Sequence, residues 1–434
     1  MISKSSKLSY ALLNFSGAAA AMPIVVYILP YFALNFGLGL TAVGLIFTLG
    51  RFFDIFTDPI MGTLIDRYPS RWGKHKHWIA LSIPILMCST VLLYLPVNPN
   101  PSNWYLFIGL FLLYSGFTLS VITQYSWSVY LAPTYDDKTN LLTLREAVNV
   151  FFSLLVLAIP AFVELYFKSP IETKIISIGI FVLVMLPIIG ITALIKVPDS
   201  KDISAKPINP FKAFKTFFFN RNLKIVTLTG ILIVTAQGSQ GALALFVIDY
   251  VLELPEYSAR MILLYFASAI IGLQFWRKLA LRINKHKAAY YCCIYVFTMS
   301  FLSYLGWEFY LIDNPQYMLL GSCVMYVLIG LAYAGVNPLL IAMVGDLAKQ
   351  DMEKYNQDRS ASMYSFLTTF LKFGNAFAAS IPYLILGIFS VFDPSLGINN
   401  SVESLNLLWS LYIFIPIICY LISIFLIKQY KYKF

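Results

Sequence analysis

Charge is what this 434-residue chain has least of: Asp, Glu, Lys and Arg make up 12% of it, against about 25% in soluble domains. A soluble globule of this size needs charge to cover its surface, and a protein dissolved in lipid does not. From Leu8 to Gly50 no residue is charged. Histidine is scarcer still. His75, His77 and His286 all sit in basic loops, which argues against a membrane acyltransferase built on clustered histidine or cysteine. The five cysteines lie in apolar stretches, and adjacent Cys292 and Cys293 lack the spacing of a metal or redox motif. They read as small apolar helix residues. The first apolar stretch is too long for the core of a secretion signal, so no cleavable leader is expected.

What the chain has in abundance is apolar and aromatic residues, 59% and 16% of its length. Aromatics at that level fit a membrane protein, since Tyr and Trp collect at the two lipid–water interfaces. A span needs about 20 apolar residues, so the uncharged run at the start holds two helices joined at Asn35-Phe36-Gly37. Six spans are expected near 9–34, 40–66, 78–97, 103–133, 147–167 and 173–195. A polar stretch follows, with Lys201, Lys206, Lys212, Lys215 and Arg221. Six more spans fit near 224–251, 258–280, 288–308, 316–345, 361–392 and 405–427.

The net charge of +10 falls in short loops and not on a soluble face, so it speaks for membrane topology and against nucleic acid. Arg67, Arg71, Lys74 and Lys76 follow the second span, and Arg277, Lys278, Arg282, Lys285 and Lys287 follow the eighth. Both termini are basic, while Val97–Asn103 and Phe392–Leu405 carry no Lys or Arg. The positive-inside rule places both termini and the central stretch in the cytoplasm. The expected fold is an all-α membrane protein of about twelve helices: a six-helix bundle over 1–197, a cytoplasmic linker over 198–222 and a second bundle over 223–434. That layout resembles the major facilitator fold. Gly73-Lys74-His75-Lys76 after the second span is echoed by Asn284-Lys285-His286-Lys287 after the eighth, as two repeated halves with a solute site at their interface would have it.

A charge near the bilayer centre costs at least ~2.5 kcal/mol, which makes such residues functional candidates. In the second span, Arg51, Asp54 and Asp58 share nearly one helix face. Two carboxylates, the Thr57 hydroxyl and carbonyls freed by Pro59 are hard oxygen ligands suited to a small cation or a proton. The plainer alternative is a charge-neutralised helix contact, although one arginine cannot balance both acids. The fourth span offers Ser120, Thr123, Gln124 and Trp127 at helical spacing. Ser and Thr in a membrane helix usually serve packing, but an indole inside a span can stack on a sugar face. Arg145 opens the fifth span, either as a surface anchor or as a cavity residue. Lys372, deep in the eleventh span, needs a carboxylate partner, with Asp54 or Asp58 the natural candidates.

With Arg51-x-x-Asp54-x-x-x-Asp58-Pro59-Ile60-Met61-Gly62, then Ser70-Arg71-Trp72-Gly73-Lys74, and later Trp127-Ser128, Arg145 and Lys372-Phe373-Gly374-Asn375-Ala376-Phe377, the chain resembles the glycoside-pentoside-hexuronide:cation symporters, typified by the melibiose carrier. The resemblance implies Na+ or H+ as coupling ion, held by Asp54, Thr57, Asp58 and Ser120, with Na+ on Asp54 and Asp58. It implies a solute site at Trp127 and Arg145, with Lys372 between the two sites; the polar face of the fourth span adds Thr123 and Gln124 to the expected solute site, and no cofactor is expected. The family's two sugar-gripping carboxylates are replaced here by Ala18 and Thr123, and the lysine before the first by Gly17, so the solute-reading half is rewritten. A small sugar or glycoside is the family-level expectation; an amphiphilic or anionic solute such as a lysophospholipid, or proton-coupled export, is the alternative. Gly62, Asp66, Arg67, Arg71 and Lys74 are expected to form a gating loop. The expected setting is a bacterial inner membrane, with the carrier working as a monomer.

Overall fold

The computed structural model describes residues 3–20, 23–68, 70–95, 100–132, 135–167, 170–199, 220–311, 313–355, 360–389 and 392–430. These are helical apart from turns and one isolated bridge between Ser70 and Gly73. Ten helices among the described residues are long and apolar enough to cross a membrane. The broken first span and the charged second span, Leu40–Arg67, complete the set. The chain divides into two units, Met1–Lys206 and Pro207–Phe434.

In the first unit the opening span runs in pieces: Lys4–Leu12, Phe15–Ala20, a π turn over Ile24–Ile28, and Leu29–Asn35. The break at Leu13 and Asn14 is a tightened turn, in which Asn14, Ser16 and Gly17 donate to carbonyls three residues back. The third to sixth spans follow as Lys76–Tyr94, Asn103–Leu131, Tyr135–Phe167 and Ile171–Lys196. The fourth packs against the second and the third, and the opening span lies against the fifth and sixth. Ser102 caps the fourth, its hydroxyl accepting from the Tyr105 N–H. A buried pair, Lys174 Nζ on Glu164 Oε2 at 2.5 Å, joins the fifth span to the sixth.

The start of the third span is held by a residue from far along the chain. The His75 and Lys76 backbone N–H groups donate to Asp199 Oδ2 at 2.7 and 2.9 Å, and His75 Nδ1 lies 2.8 Å from Asp199 Oδ1. Two otherwise unmatched amides at a helix N-terminus are satisfied this way by an anion, which the helix dipole also favours. Gly73 permits the approach: its φ is +121°, and a Cβ there would land on the Asp199 carboxylate. Burial pushes the Asp199 carboxyl up, but the bonds from His75 and Lys76 outweigh it and hold the group below its ordinary value. A depressed folded-state pKa gives stability that is present above the unfolded value and lost as pH falls through the folded one. Asp199→Asn is therefore expected to lower the Tm of the purified protein by about 3 °C at neutral pH. The gap to wild type should close as the pH falls below about 4; a gap that stays constant across that range would disprove the charged latch.

The second unit contains Arg221–Phe246, Ser258–Ile283, Lys285–Gly306, the pair Met318–Tyr333 and Val336–Tyr355, Ser360–Phe389, and Val402–Lys428. Its seventh span is packed between the eleventh and twelfth. The core gathers Leu340, Phe366, Leu367 and Tyr420 around Cys292 and Cys293. Lipid tails are as apolar as leucine, so close packing rather than expulsion from water holds such helices together. The eighth and tenth spans touch backbone to backbone, because a side chain on Gly272 or Gly330 would strike the Leu331 or Tyr265 carbonyl.

Besides the broken first span, two elements differ from the sequence expectation. The fifth helix begins at Tyr135 instead of 147, because its first turns carry charge and extend past the apolar window Leu144–Phe167. The tenth span is two helices, interrupted at Ala334 and Gly335.

Candidate functional site

The second span places Asp54 almost wholly out of solvent, at 1% exposure. Thr118 of the fourth span donates to Asp54 Oδ1 at 2.6 Å, and Arg51, one turn earlier, brings Nη1 to 3.8 Å from Oδ2. The Arg51 guanidinium lies 4.4 Å over the Tyr114 ring and 5.4 Å from the centre of Phe47, so aromatic faces supply part of its solvation. The Tyr114 hydroxyl is buried with no hydrogen-bond partner among the described residues. Thr57 is buried, and its hydroxyl donates to the Asp54 carbonyl at 3.0 Å, which leaves its lone pairs available. Asp58 stands one turn beyond Asp54 and is half-buried. The result is a cluster of oxygen atoms in which Arg51 stands beside two acids.

Ser120 does not join this cluster. Its hydroxyl is 3.2 Å from that of Ser16 and accepts from Gln124 Nε2 at 3.0 Å. Two residues along a helix turn the side chain by about 200°, so Ser120 and Thr118 face different neighbours. Thr118 is thus the hydroxyl the fourth span contributes to Asp54, and the expectation of Ser120 there is corrected. The sequence offered a faint signal: Thr118 follows Tyr114 by one turn, off the Ser120–Gln124–Trp127 stripe.

That stripe has its own centre in Gln124, which is fully buried. Its Nε2 donates to Ser120 Oγ and, at 3.4 Å, to the Leu13 carbonyl exposed by the break in the first span. Its Oε1 accepts from Arg145 Nε at 3.1 Å, and its backbone carbonyl accepts from the Tyr10 hydroxyl at 2.6 Å. Arg145 Nη1 donates to the Tyr125 hydroxyl at 3.1 Å and pairs with Glu146, while the guanidinium lies 4.4 Å over the Tyr125 ring. Asn14 donates to the Arg145 carbonyl at 3.1 Å. Arg145 is 2% exposed, so it is neither a surface anchor nor the first residue of its helix. Thr123 is fully buried, and its hydroxyl has no partner among the described residues.

Trp127 is corrected as well. It lies near the end of Asn103–Leu131 rather than mid-span, with no exposed surface. Its ring stacks on His75 at 5.8 Å and 12°, Tyr10 meets it edge-on, and its Nε1 donates to the Pro198 carbonyl at 3.0 Å. An indole covered in this way offers no open face to a sugar. It belongs instead with His75, Ser126 and Asp199, where His75 Nε2 lies 3.0 Å from the Ser126 hydroxyl.

Lys372 belongs to the second unit and is half-buried in Ser360–Phe389. Of the expected gating residues, Arg71 is exposed and Lys74 half-buried. Gly62, Asp66 and Arg67 continue the helical backbone of the second span, but their side chains lie outside the described residues.

Comparison with known proteins matches residues 9–433 to the family model described as MFS/sugar transport protein. The isoprimeverose transporter of Lactiplantibacillus pentosus is 22% identical over 99% of this chain and 89% of its own length. The inner membrane symporter YicJ of Escherichia coli is 20% identical over 99% of this chain and 92% of its own. Among solved structures, the nucleoside transporter NupG superposes with a TM-score of 0.69 at 13% identity, over 97% of this chain and 99% of that one, which establishes the major facilitator fold. With residues 9–433 matched, the chain belongs to the MFS/sugar transport family and is an integral membrane transporter of the secondary, symporter-like kind.

Proposed function

We propose that this carrier couples a cation gradient to uptake of a small hydroxylated solute of the sugar class, by alternating access. The observation that carries the coupling half is Asp54, buried in a membrane-crossing helix with Arg51 at 3.8 Å and the donating Thr118 hydroxyl at 2.6 Å, one turn from a second carboxylate. Buried carboxylates in a membrane helix are costly unless they do something. Na+ would find hard oxygens on Asp54, Asp58, Thr57 and Thr118; a proton would need only one of the carboxylates. Thr118 replaces Ser120 in this reading.

The solute half rests on Arg145, Gln124 and Thr123 in the first unit, and Lys372 is proposed as a solute-binding residue of the second. The resemblance to carriers of sugars and glycosides supports the solute class, as does the similarity to the isoprimeverose transporter. Trp127 enters as a positioning residue. We further propose a bacterial inner membrane, as for YicJ of Escherichia coli, with the termini inside on the distribution of Lys and Arg, and a working monomer.

The test is uptake into proteoliposomes under an imposed Na+ gradient, an imposed pH gradient, or neither, with sugars, glycosides and lysophospholipids as solutes. Uptake of a sugar that rises with an inward cation gradient is the expected result. Uptake indifferent to both gradients would sink the coupling, and transport of lysophospholipid without sugar would move the solute to the lipid class. Outward flux stimulated by inward protons would make the carrier an exporter.

A further inference from the structure

The broken tenth span carries a second polar centre that nothing in the preceding reading uses. Pro338 has no N–H and its ring crowds the carbonyl four residues back, so a regular helix cannot run through Ala334 and Gly335. The backbone turns there, with the Gly335 N–H donating to the Ala332 carbonyl at 2.9 Å. Neighbouring spans then satisfy the carbonyls around the break. Tyr295 donates to Leu328 at 3.0 Å, Trp276 Nε1 to Leu331 at 3.1 Å, the Cys292 thiol to Ala332 at 3.8 Å, and Gln237 Nε2 to Tyr333 at 2.8 Å.

The last of these sets a direction. A backbone carbonyl can only accept, so the Gln237 amide must present Nε2 to it; the same nitrogen reaches the Tyr420 hydroxyl at 3.4 Å. Gln237 Oε1 therefore faces away as an acceptor, and Asn337 Nδ2 donates to it at 3.0 Å. Two amides in series, anchored on a carbonyl, leave Asn337 no choice of orientation. Its Oδ1 is left as a buried acceptor with no donor among the described residues. Leaving such a group unmade is costly.

Gln237, Tyr333 and Asn337 are half-buried, with the break lying in the middle of the membrane-crossing stretch Pro315–Asp351. Amide side chains at that depth do not face hydrocarbon, so their open side belongs to a polar path. Interrupted helices near the midplane are where carriers place solute groups. Tyr265 and Phe266, with ring centres 5.3 and 5.1 Å from that of Tyr333, add apolar walls.

We infer that this break is the second unit's solute station, and that Asn337 Oδ1 accepts a hydrogen bond from a hydroxyl of the transported molecule. The inference rests on the sugar-class reading above and names one atom of that site. The probes are isoprimeverose, melibiose and their constituent monosaccharides, with the monodeoxy analogues of whichever binds best, measured by equilibrium binding to the purified full-length carrier. In wild type one deoxy analogue should bind about 10-fold more weakly than its parent. Asn337→Leu should weaken the parent by about the same factor and leave that analogue unchanged, so that the two become equal. Asn337→Ser keeps a donor for Gln237 and a shorter acceptor, and serves if the leucine variant fails to fold; it should narrow the parent-to-deoxy ratio. Wild type binding a sugar, with the variants binding it equally well and the ratio intact, overturns this assignment alone. Wild type binding none of the probes overturns the solute reading and this inference with it.

Discussion

Cation-stimulated uptake is expected to fall about 100-fold or more in Asp54→Ala with the protein still present in the membrane, because removing one partner of a buried charge pair costs about 3 kcal/mol or more and each 1.4 kcal/mol is tenfold. Asp54 is 1% exposed and stands between Arg51 and Thr118. Alanine would leave the guanidinium, stacked on Tyr114, without the carboxylate it faces and, under the proposed coupling, would remove a cation ligand in the same stroke. A loss in alanine alone does not separate those two consequences. Asp54→Asn does. Asparagine keeps the shape and the oxygen that accepts from Thr118, so a purely structural aspartate would be rescued by it. A carboxylate that binds Na+ or carries a proton would not, and the asparagine variant should be as inactive as the alanine. Thr118→Val is the graded companion. Losing one hydrogen bond to a charged group should raise the half-saturating cation concentration about 10-fold, with the maximal rate little changed. Wild-type cation stimulation in Asp54→Asn would remove this aspartate from the coupling site.

The parts of this molecule that were legible in its sequence are those that depend on averages over many residues. A span is a run of about 20 apolar side chains, so the number of spans and the charged face of the second could be read directly. Breaks are properties of one or two residues and vanish in such averages. The kink at Leu13 and Asn14 and the interruption at Ala334 and Gly335 went unseen, although Pro338 in the tenth span was a local signal for the second. Helical spacing puts Ser120, Gln124 and Trp127 on one stripe, but spacing shows which residues share a face and not what that face meets. The stripe meets the kinked first span and Arg145, and the opposite face, bearing Thr118, meets Asp54. Trp127 misled for a related reason: an indole in an apolar stretch carries no mark of the imidazole that covers it. That imidazole is fixed by Asp199, more than a hundred residues away in sequence, through a contact that only the folded unit creates.

Arg145→Lys is expected to depress transport about 100-fold, although charge is conserved, because two bonds to a charged donor are worth about 1.5–3 kcal/mol each and lysine cannot reproduce both. The guanidinium lies flat on Tyr125, sends Nε to Gln124 Oε1 and sends Nη1 to the Tyr125 hydroxyl and Glu146. A lysine ammonium is a point charge on a flexible stem and has no planar fork with which to hold these positions together. The damage would not stop at the arginine. Gln124 commits its Nε2 to Ser120 and to the Leu13 carbonyl, so its Oε1 has to face residue 145. Without a donor there, the amide is free to rotate and the kink of the first span loses the Gln124 amide from its ties to the fourth and fifth, which also include Ser16 on Ser120 and Asn14 on the Arg145 carbonyl. Gln124→Leu tests that chain from its middle: if Arg145 acts mainly through the kink, both variants should lose maximal rate for every solute carried. If the guanidinium touches the solute itself, Arg145→Lys should raise KM well beyond what Gln124→Leu does, and most for solutes with an acidic group. Wild-type rates in both variants would show that the network is packing and has no part in the transport cycle.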